Sequence, residues 1–124
     1  AAVFSMSSRY EPFGMVAIEA MSCGTPTVMT VHGGLYELID YGKHALYADP
    51  NRSLEYGTML AIPMLYPDLG HQLSVEGARF ARRNFGWTGI AKQHLAIFNA
   101  ATQESRRRKF VLVLKSRSSI LLIT

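Results

Sequence analysis

The chain has 124 residues, of which 48% are hydrophobic and 18% charged, and it is long enough for one compact domain. No apolar run approaches the roughly 20 residues of a membrane-spanning helix, so an integral membrane protein is not expected. The net charge of +4 is uneven: residues 102–124 hold six basic residues and one acid, a charge of +5, which leaves −1 for residues 1–101. This distribution argues against a basic nucleic-acid groove across residues 1–101.

The amino-terminal part alternates between predicted strands and helices. Residues 1–6 are short and apolar, as in a buried parallel strand, and a helix is expected from Phe13 or Gly14 to Ser22. A β-branched run predicts a second strand at 27–31. A short helix over about 35–40 and a short strand at 45–48 complete this half.

The second half has a helical pattern, with helices expected at about 54–65, 68–84 and 89–102. Alternating strands and helices, followed by helices alone, predict an α/β fold with a parallel sheet. Three strands are fewer than such a sheet normally has. Residues 1–101 are therefore expected to be part of a doubly wound, Rossmann-like domain that is entered partway.

Residues 102–124 form a tail that does not fit this pattern. Two apolar runs, 110–114 and 120–123, follow the basic run 106–109. The runs could add a pair of strands, or the tail could be non-native or disordered sequence at a truncated or misread end. We favour the second interpretation.

Two carboxylates, Glu11 and Glu19, bracket the predicted start of the first helix. Gly14 lies between them, and the lack of a side chain there would let a ligand approach the main chain. The first amides of a helix have no intrahelical acceptor and lie at the positive end of the dipole, which suits a phosphate. Acids on both sides of a phosphate site suit a ligand with sugars at both ends of a diphosphate, which is a nucleotide sugar.

Segment 8–26, which contains Glu11-Pro-Phe-Gly and Cys23-Gly-Thr-Pro, resembles the donor-binding motif of retaining glycosyltransferases with two Rossmann-like domains, the GT-B type. Within them it is most similar to sucrose-phosphate synthases and mannosylfructose-phosphate synthases. The resemblance covers about residues 1–98, including 32–37 and 42–50. It implies that residues 1–101 are part of a C-terminal nucleotide-sugar-binding domain.

The resemblance also implies roles for individual residues. Glu11 would hold hydroxyls of the transferred hexose near the reacting carbon, as the candidate catalytic residue, and Glu19 would bind the ribose. The donor-binding amides would be those of Phe13, Gly14, Met15 and Val16. Further candidates for the cleft are Arg9, His32, Gly33, Gly34 and Glu37.

The implied activity is transfer of a hexose, with retention of configuration, from UDP-glucose or GDP-mannose to a sugar phosphate. In the family, the basic residues that clamp the diphosphate and the N-terminal domain that binds the acceptor precede this motif, so the chain alone is expected to show little or no turnover. We expect no tightly bound cofactor, no metal site, no nucleic-acid partner and a cytoplasmic location.

Two other classes of function remain open. The basic run 106–109 could bind nucleic acid or an anionic surface electrostatically. Alternatively, the chain could be a non-catalytic interaction module that exposes an apolar face.

Overall fold

The computed structural model of the protein describes residues 1–120, with side chains up to residue 107. The chain divides into two compact units, residues 1–86 and the residues from 87 onward. The elements of the first unit are β1 (Phe4–Met6), α1 (Met15–Ser22), β2 (Thr27–Thr30), a 3-10 helix (Gly34–Leu38), β3 (Leu46–Ala48), α2 (Ser53–Leu65) and α3 (Pro67–Phe85). The second unit contains α4 (Trp87–Ile120).

The three strands form one parallel sheet in the order β1-β2-β3. All four residues of the central strand β2 are buried, because helices cover both faces of the sheet. Met29 packs on one face with Met21 of α1, and Val28 packs on the other with Tyr56 of α2. Burial on both faces explains why all four residues of β2 are uncharged and three of them are β-branched, with no alternation between buried and exposed positions.

Helix α3 lies against the connections that precede β2 and β3. The Gln72 side-chain amide donates a hydrogen bond to the Gly42 carbonyl at 3.0 Å. At Gly77 the helix passes so close that a Cβ would lie 2.6 Å from the His44 carbonyl oxygen. The amino end of the sheet is therefore covered by α3, whereas the carboxyl ends of the strands lead into polar loops.

The structure confirms the predicted α/β class, the three parallel strands and the helices over 14–22, 54–65 and 68–84, each within a few residues. The short helix predicted at 35–40 is a 3-10 helix of five residues. The compact first unit ends at Gly86. The domain boundary between 101 and 102 stays a prediction.

Helix α4 continues through Ile120, so the helix predicted to end near residue 102 is longer, and a strand at 110–114 is wrong. Residues 103–109 are mostly Gln, Glu, Arg and Lys, which have high helix propensity. Adding residues to a helix that has already formed also requires less free energy than nucleating a new element. The run 120–123 lies outside the described residues except for Ile120. Whether residues 102–124 are native, and whether the basic run binds anions, stays a prediction.

We predict that Gly77→Ala lowers the free energy of unfolding by about 1–3 kcal/mol, because the new methyl group forces α3 away from the His44 carbonyl. Gly57→Ala is the matched control, since a Cβ at this helical glycine in α2 meets nothing within 4 Å. The control should be neutral or stabilising, by up to about 1 kcal/mol. Urea unfolding of both variants checks this, and equal stability of the two would contradict the close packing of α3.

Candidate functional site

The predicted site residues lie mainly in the loops that leave the carboxyl ends of β1 and β2. These two loops run side by side and are joined through the main chain. The Glu11 amide donates to the His32 carbonyl at 2.9 Å, and the Leu35 amide donates to the Phe13 carbonyl at 2.9 Å. Ligands of open parallel sheets bind at this end of the strands, so the position is appropriate for a binding site.

Gly33 and Gly34 allow the two loops to approach this closely. A Cβ on Gly33 would lie 2.9 Å from the Glu11 carbonyl oxygen, and a Cβ on Gly34 would lie 3.0 Å from the Pro12 carbonyl oxygen. Any larger residue would push the loops apart. The two glycines were predicted to line the cleft, and the structure shows that they also fix the main-chain position of Glu11.

Gly14 is buried and takes a left-handed conformation, with φ of +108°, directly before α1. Its missing side chain is used for packing, because a Cβ would lie 3.1 Å from Met6 Cε and 3.4 Å from Leu35 Cβ. That space was predicted to admit a ligand, but it is filled by the core. Access of a ligand to the Gly14 amide stays a prediction.

The first turn of α1 offers free hydrogen-bond donors. The main-chain amides of Met15 and Val16 have no acceptor among the described residues, and no side chain caps the helix. Both side chains are about half exposed, at 48% and 50%. This end of α1 therefore has donors and a positive dipole that an anion could occupy.

The side chains of Glu11 and Glu19 make no ion pair or hydrogen bond with any residue that the structure describes. Glu19 is exposed, Glu11 is partly exposed, and both carboxylates are free to accept hydrogen bonds from a ligand. Phe13 is partly buried and packs edge-on against Phe85, with ring centroids 5.8 Å apart. Its main chain, rather than its ring, is thus the part available near the loops.

The predicted place of Arg9 and Glu37 in the cleft has less support from the geometry than that of the other candidates. Both are exposed, and within residues 1–107 neither side chain forms a hydrogen bond or ion pair with another predicted site residue. Glu37 lies in the first turn of the 3-10 helix, and Arg9 lies in the loop after β1. Their assignment to the cleft stays a prediction.

The sequence analysis missed Asp49, which follows β3. Its Oδ1 lies 3.0 Å from His32 Nε2 and also accepts hydrogen bonds from the main-chain and side-chain amides of Asn51. The main-chain amide of Asn51, followed by His32, holds the pKa of Asp49 below its usual range. A polar Asp-Pro-Asn sequence directly after a predicted strand was the signal that could have identified it.

His44 lies before β3, on the side of the sheet opposite to these loops. His44 stacks on Phe80 beside α3, and burial lowers its pKa. Among the described residues, no three His, Cys, Asp or Glu side chains come together as a group that could hold a metal ion. Within the same residues, no helix is both long enough and apolar enough to cross a membrane.

Residues 1–58 match the family described as Glycosyl transferases group 1. The chain is 53% identical over 100 residues to mannosylfructose-phosphate synthase of Agrobacterium fabrum, a match that covers 81% of this chain and 22% of that protein. It is 30% identical over 93 residues to a probable sucrose-phosphate synthase of Thermosipho melanesiensis, covering 75% of this chain and 21% of that protein. The chain thus spans about a fifth of the length of these relatives.

Solved structures show the same fold. The sucrose-phosphate synthase from Thermosynechococcus elongatus matches with a TM-score of 0.78 and 30% identity, covering 84% of this chain and 26% of that one. Anabaena HepE in complex with UDP matches with a TM-score of 0.76 and 24% identity, covering 81% of this chain and 28% of that one. The three-stranded parallel sheet and its helices are thus part of a GT-B fold, and the chain belongs to the glycosyl transferases group 1 family.

Proposed function

We propose that residues 1–101 form the donor-binding part of a retaining hexosyltransferase, which transfers a hexose from a nucleotide sugar to a sugar phosphate. The observation that carries this proposal is the pair of unpaired acids, Glu11 and Glu19, beside the uncapped amino end of α1. The relatives support the sugar-phosphate product, since they include a mannosylfructose-phosphate synthase and a probable sucrose-phosphate synthase. A HepE structure with UDP-glucose supports a nucleotide-sugar donor for this fold.

In this proposal, the amides at the start of α1, from Phe13 to Val16, receive the diphosphate and nearby sugar hydroxyls. Glu11 holds hydroxyls of the hexose, and Glu19 holds the ribose. The acceptor attacks the anomeric carbon from the face that the diphosphate leaves, so the configuration is retained. The residues act by positioning the donor and stabilising developing charge, with no covalent enzyme intermediate.

The donor could be UDP-glucose or GDP-mannose, because both fit the same two acids and helix terminus. In the two-domain family the N-terminal domain binds the acceptor, and we assign binding of the sugar-phosphate acceptor to such a domain rather than to residues 1–101. The cytoplasmic location also stays a prediction.

We predict that Glu19→Gln weakens binding of the donor to the 124-residue chain by about tenfold, because a charged acceptor for the ribose hydroxyls is lost. Titrations of UDP-glucose and of GDP-mannose, followed by NMR of the labelled chain, measure this change. Asp68→Asn is the matched control, since Asp68 is an exposed acid in the first turn of α3, the helix that covers the opposite end of the sheet. Equal affinity of the Glu19 variant and the unmodified chain would contradict the assignment.

We further predict that the donor-binding residues of this chain support hexose transfer when they stand in a complete two-domain enzyme. In a chimera, the aligned 100 residues of this chain replace those of the Agrobacterium fabrum synthase. The chimera should transfer hexose, and Glu11→Gln should lower its kcat by about a hundredfold, because a positioned group at the reacting carbon is lost. Glu55→Gln is the control, as Glu55 pairs with Arg52 at the start of α2. A folded chimera that keeps full kcat with Glu11→Gln would overturn the role of Glu11.

A further inference from the structure

His32 joins the loops that follow all three strands. Its carbonyl oxygen accepts a hydrogen bond from the Glu11 amide at 2.9 Å, and its own amide donates to Thr30 Oγ1 at 3.0 Å. Its ring nitrogen Nε2 lies 3.0 Å from Oδ1 of Asp49, in the loop after β3. The ring is thus fixed from one side, next to the loop that carries Glu11.

The partners of Asp49 determine which ring nitrogen of His32 carries the proton. Oδ1 of Asp49 accepts hydrogen bonds from the main-chain amide of Asn51 at 2.9 Å and from its side-chain amide at 3.0 Å. These donors and His32 lower the pKa of Asp49, so the carboxylate is ionised at neutral pH and acts only as an acceptor. Nε2 must therefore donate the proton, and in the neutral ring Nδ1 keeps its lone pair.

Nδ1 of His32 is accessible to a ligand. Nδ1 has no hydrogen-bond partner within the described residues. In the same residues, every side-chain nitrogen or oxygen atom that is buried has a hydrogen-bond partner, so Nδ1 is not one of the buried atoms. Since His32 is only partly exposed, an unpartnered Nδ1 has to reach solvent. In the ring that carries its proton on Nε2 alone, Nδ1 is thus an acceptor of fixed orientation at the carboxyl end of the sheet, beside the loop that carries Glu11.

We propose that His32 contacts the transferred hexose of the donor by accepting a hydrogen bond at Nδ1 from a sugar hydroxyl, and that Asp49 is the positioning residue that holds the ring and its tautomer. The inference rests on the proposed function, because it needs a nucleotide sugar beside Glu11. It extends that function by adding a histidine to the donor site and by giving a role to Asp49.

Two substitutions of His32 separate a contact with the sugar from a structural role. In His32→Gln, the side-chain amide nitrogen can still donate to Asp49, but no atom lies at the position of Nδ1. In His32→Asn, an oxygen lies near the Nδ1 position, but the side chain is too short to reach Asp49. Thermal unfolding should therefore be less affected by His32→Gln, whereas affinity for the sugar should be less affected by His32→Asn.

The binding experiment uses UDP-glucose and UDP with the 124-residue chain at pH 8 and repeats the comparison with GDP-mannose and GDP. His32→Gln should bind the nucleotide sugar about three- to tenfold more weakly while its affinity for the free nucleotide is unchanged, since only the hexose contact is lost. An equal loss for both ligands would place the contact on the ribose or diphosphate and overturn the inference. A larger loss of nucleotide-sugar affinity in His32→Asn than in His32→Gln would show that only the link to Asp49 matters.

Imidazole ¹⁵N NMR of the chain gives a readout that does not depend on turnover. Without ligand, His32 should be mainly the Nε2–H tautomer, and Asp49→Asn should reduce this preference, because an amide can also donate. Saturation with UDP-glucose should shift the Nδ1 resonance. If the nucleotide sugar binds and Nδ1 does not shift, the inference is wrong while the proposed function stands. If neither the chain nor the chimera binds a nucleotide sugar, the proposed function itself fails.

Discussion

The main-chain contact between the loops after β1 and β2 is the constraint on which the site depends. Glu11 is placed by the hydrogen bond that its main-chain amide donates to the His32 carbonyl, and the helix start is placed by the hydrogen bond from the Leu35 amide to the Phe13 carbonyl. Both bonds require the glycines at 33 and 34, because a side chain at either position would meet the carbonyl oxygen of the facing loop. A motif around the first acid and a Gly-Gly pair some 20 residues later therefore act as one structural unit.

The arrangement of helices then directs polar chemistry to one end of the sheet. Helices on both faces bury β2 completely, and α3 covers the connections before β2 and β3. The carboxyl ends of the strands are left uncovered by α3 and lead into polar loops. In a parallel sheet these ends share one edge, which is why residues as distant in sequence as Glu11, His32 and Asp49 belong to one connected set of hydrogen bonds.

The sequence was sufficient for most of the elements and for placing the two candidate acids around the start of the first helix. Strand and helix patterns are local, and Glu11, Gly14 and Glu19 lie within nine residues around a single helix start. The link between His32 and Asp49 spans 17 residues and depends on the register of β2 against β3, which no local pattern encodes. The role of Gly14 was misjudged for the same reason, since Met6 and Leu35 fill the space beside it only after the sheet forms. At 110–114, the apolar run left a strand as one of two interpretations, but the preceding helix continues.

The charge of residues 1–101 indicates that a complete donor site needs additional cations for the diphosphate. Residues 1–101 carry a net charge of −1, and their two site acids are unpaired, so the side-chain charges of this part do not attract a diphosphate. Two or three main-chain amides at a short, solvent-exposed helix terminus contribute only about 1 kcal/mol toward an anion. We therefore expect that cations outside residues 1–101 neutralise the leaving diphosphate, which agrees with the upstream basic pair that the family resemblance implies. In this division, Glu11, Glu19 and His32 would select sugar hydroxyls, while residues elsewhere would supply the attraction for phosphate.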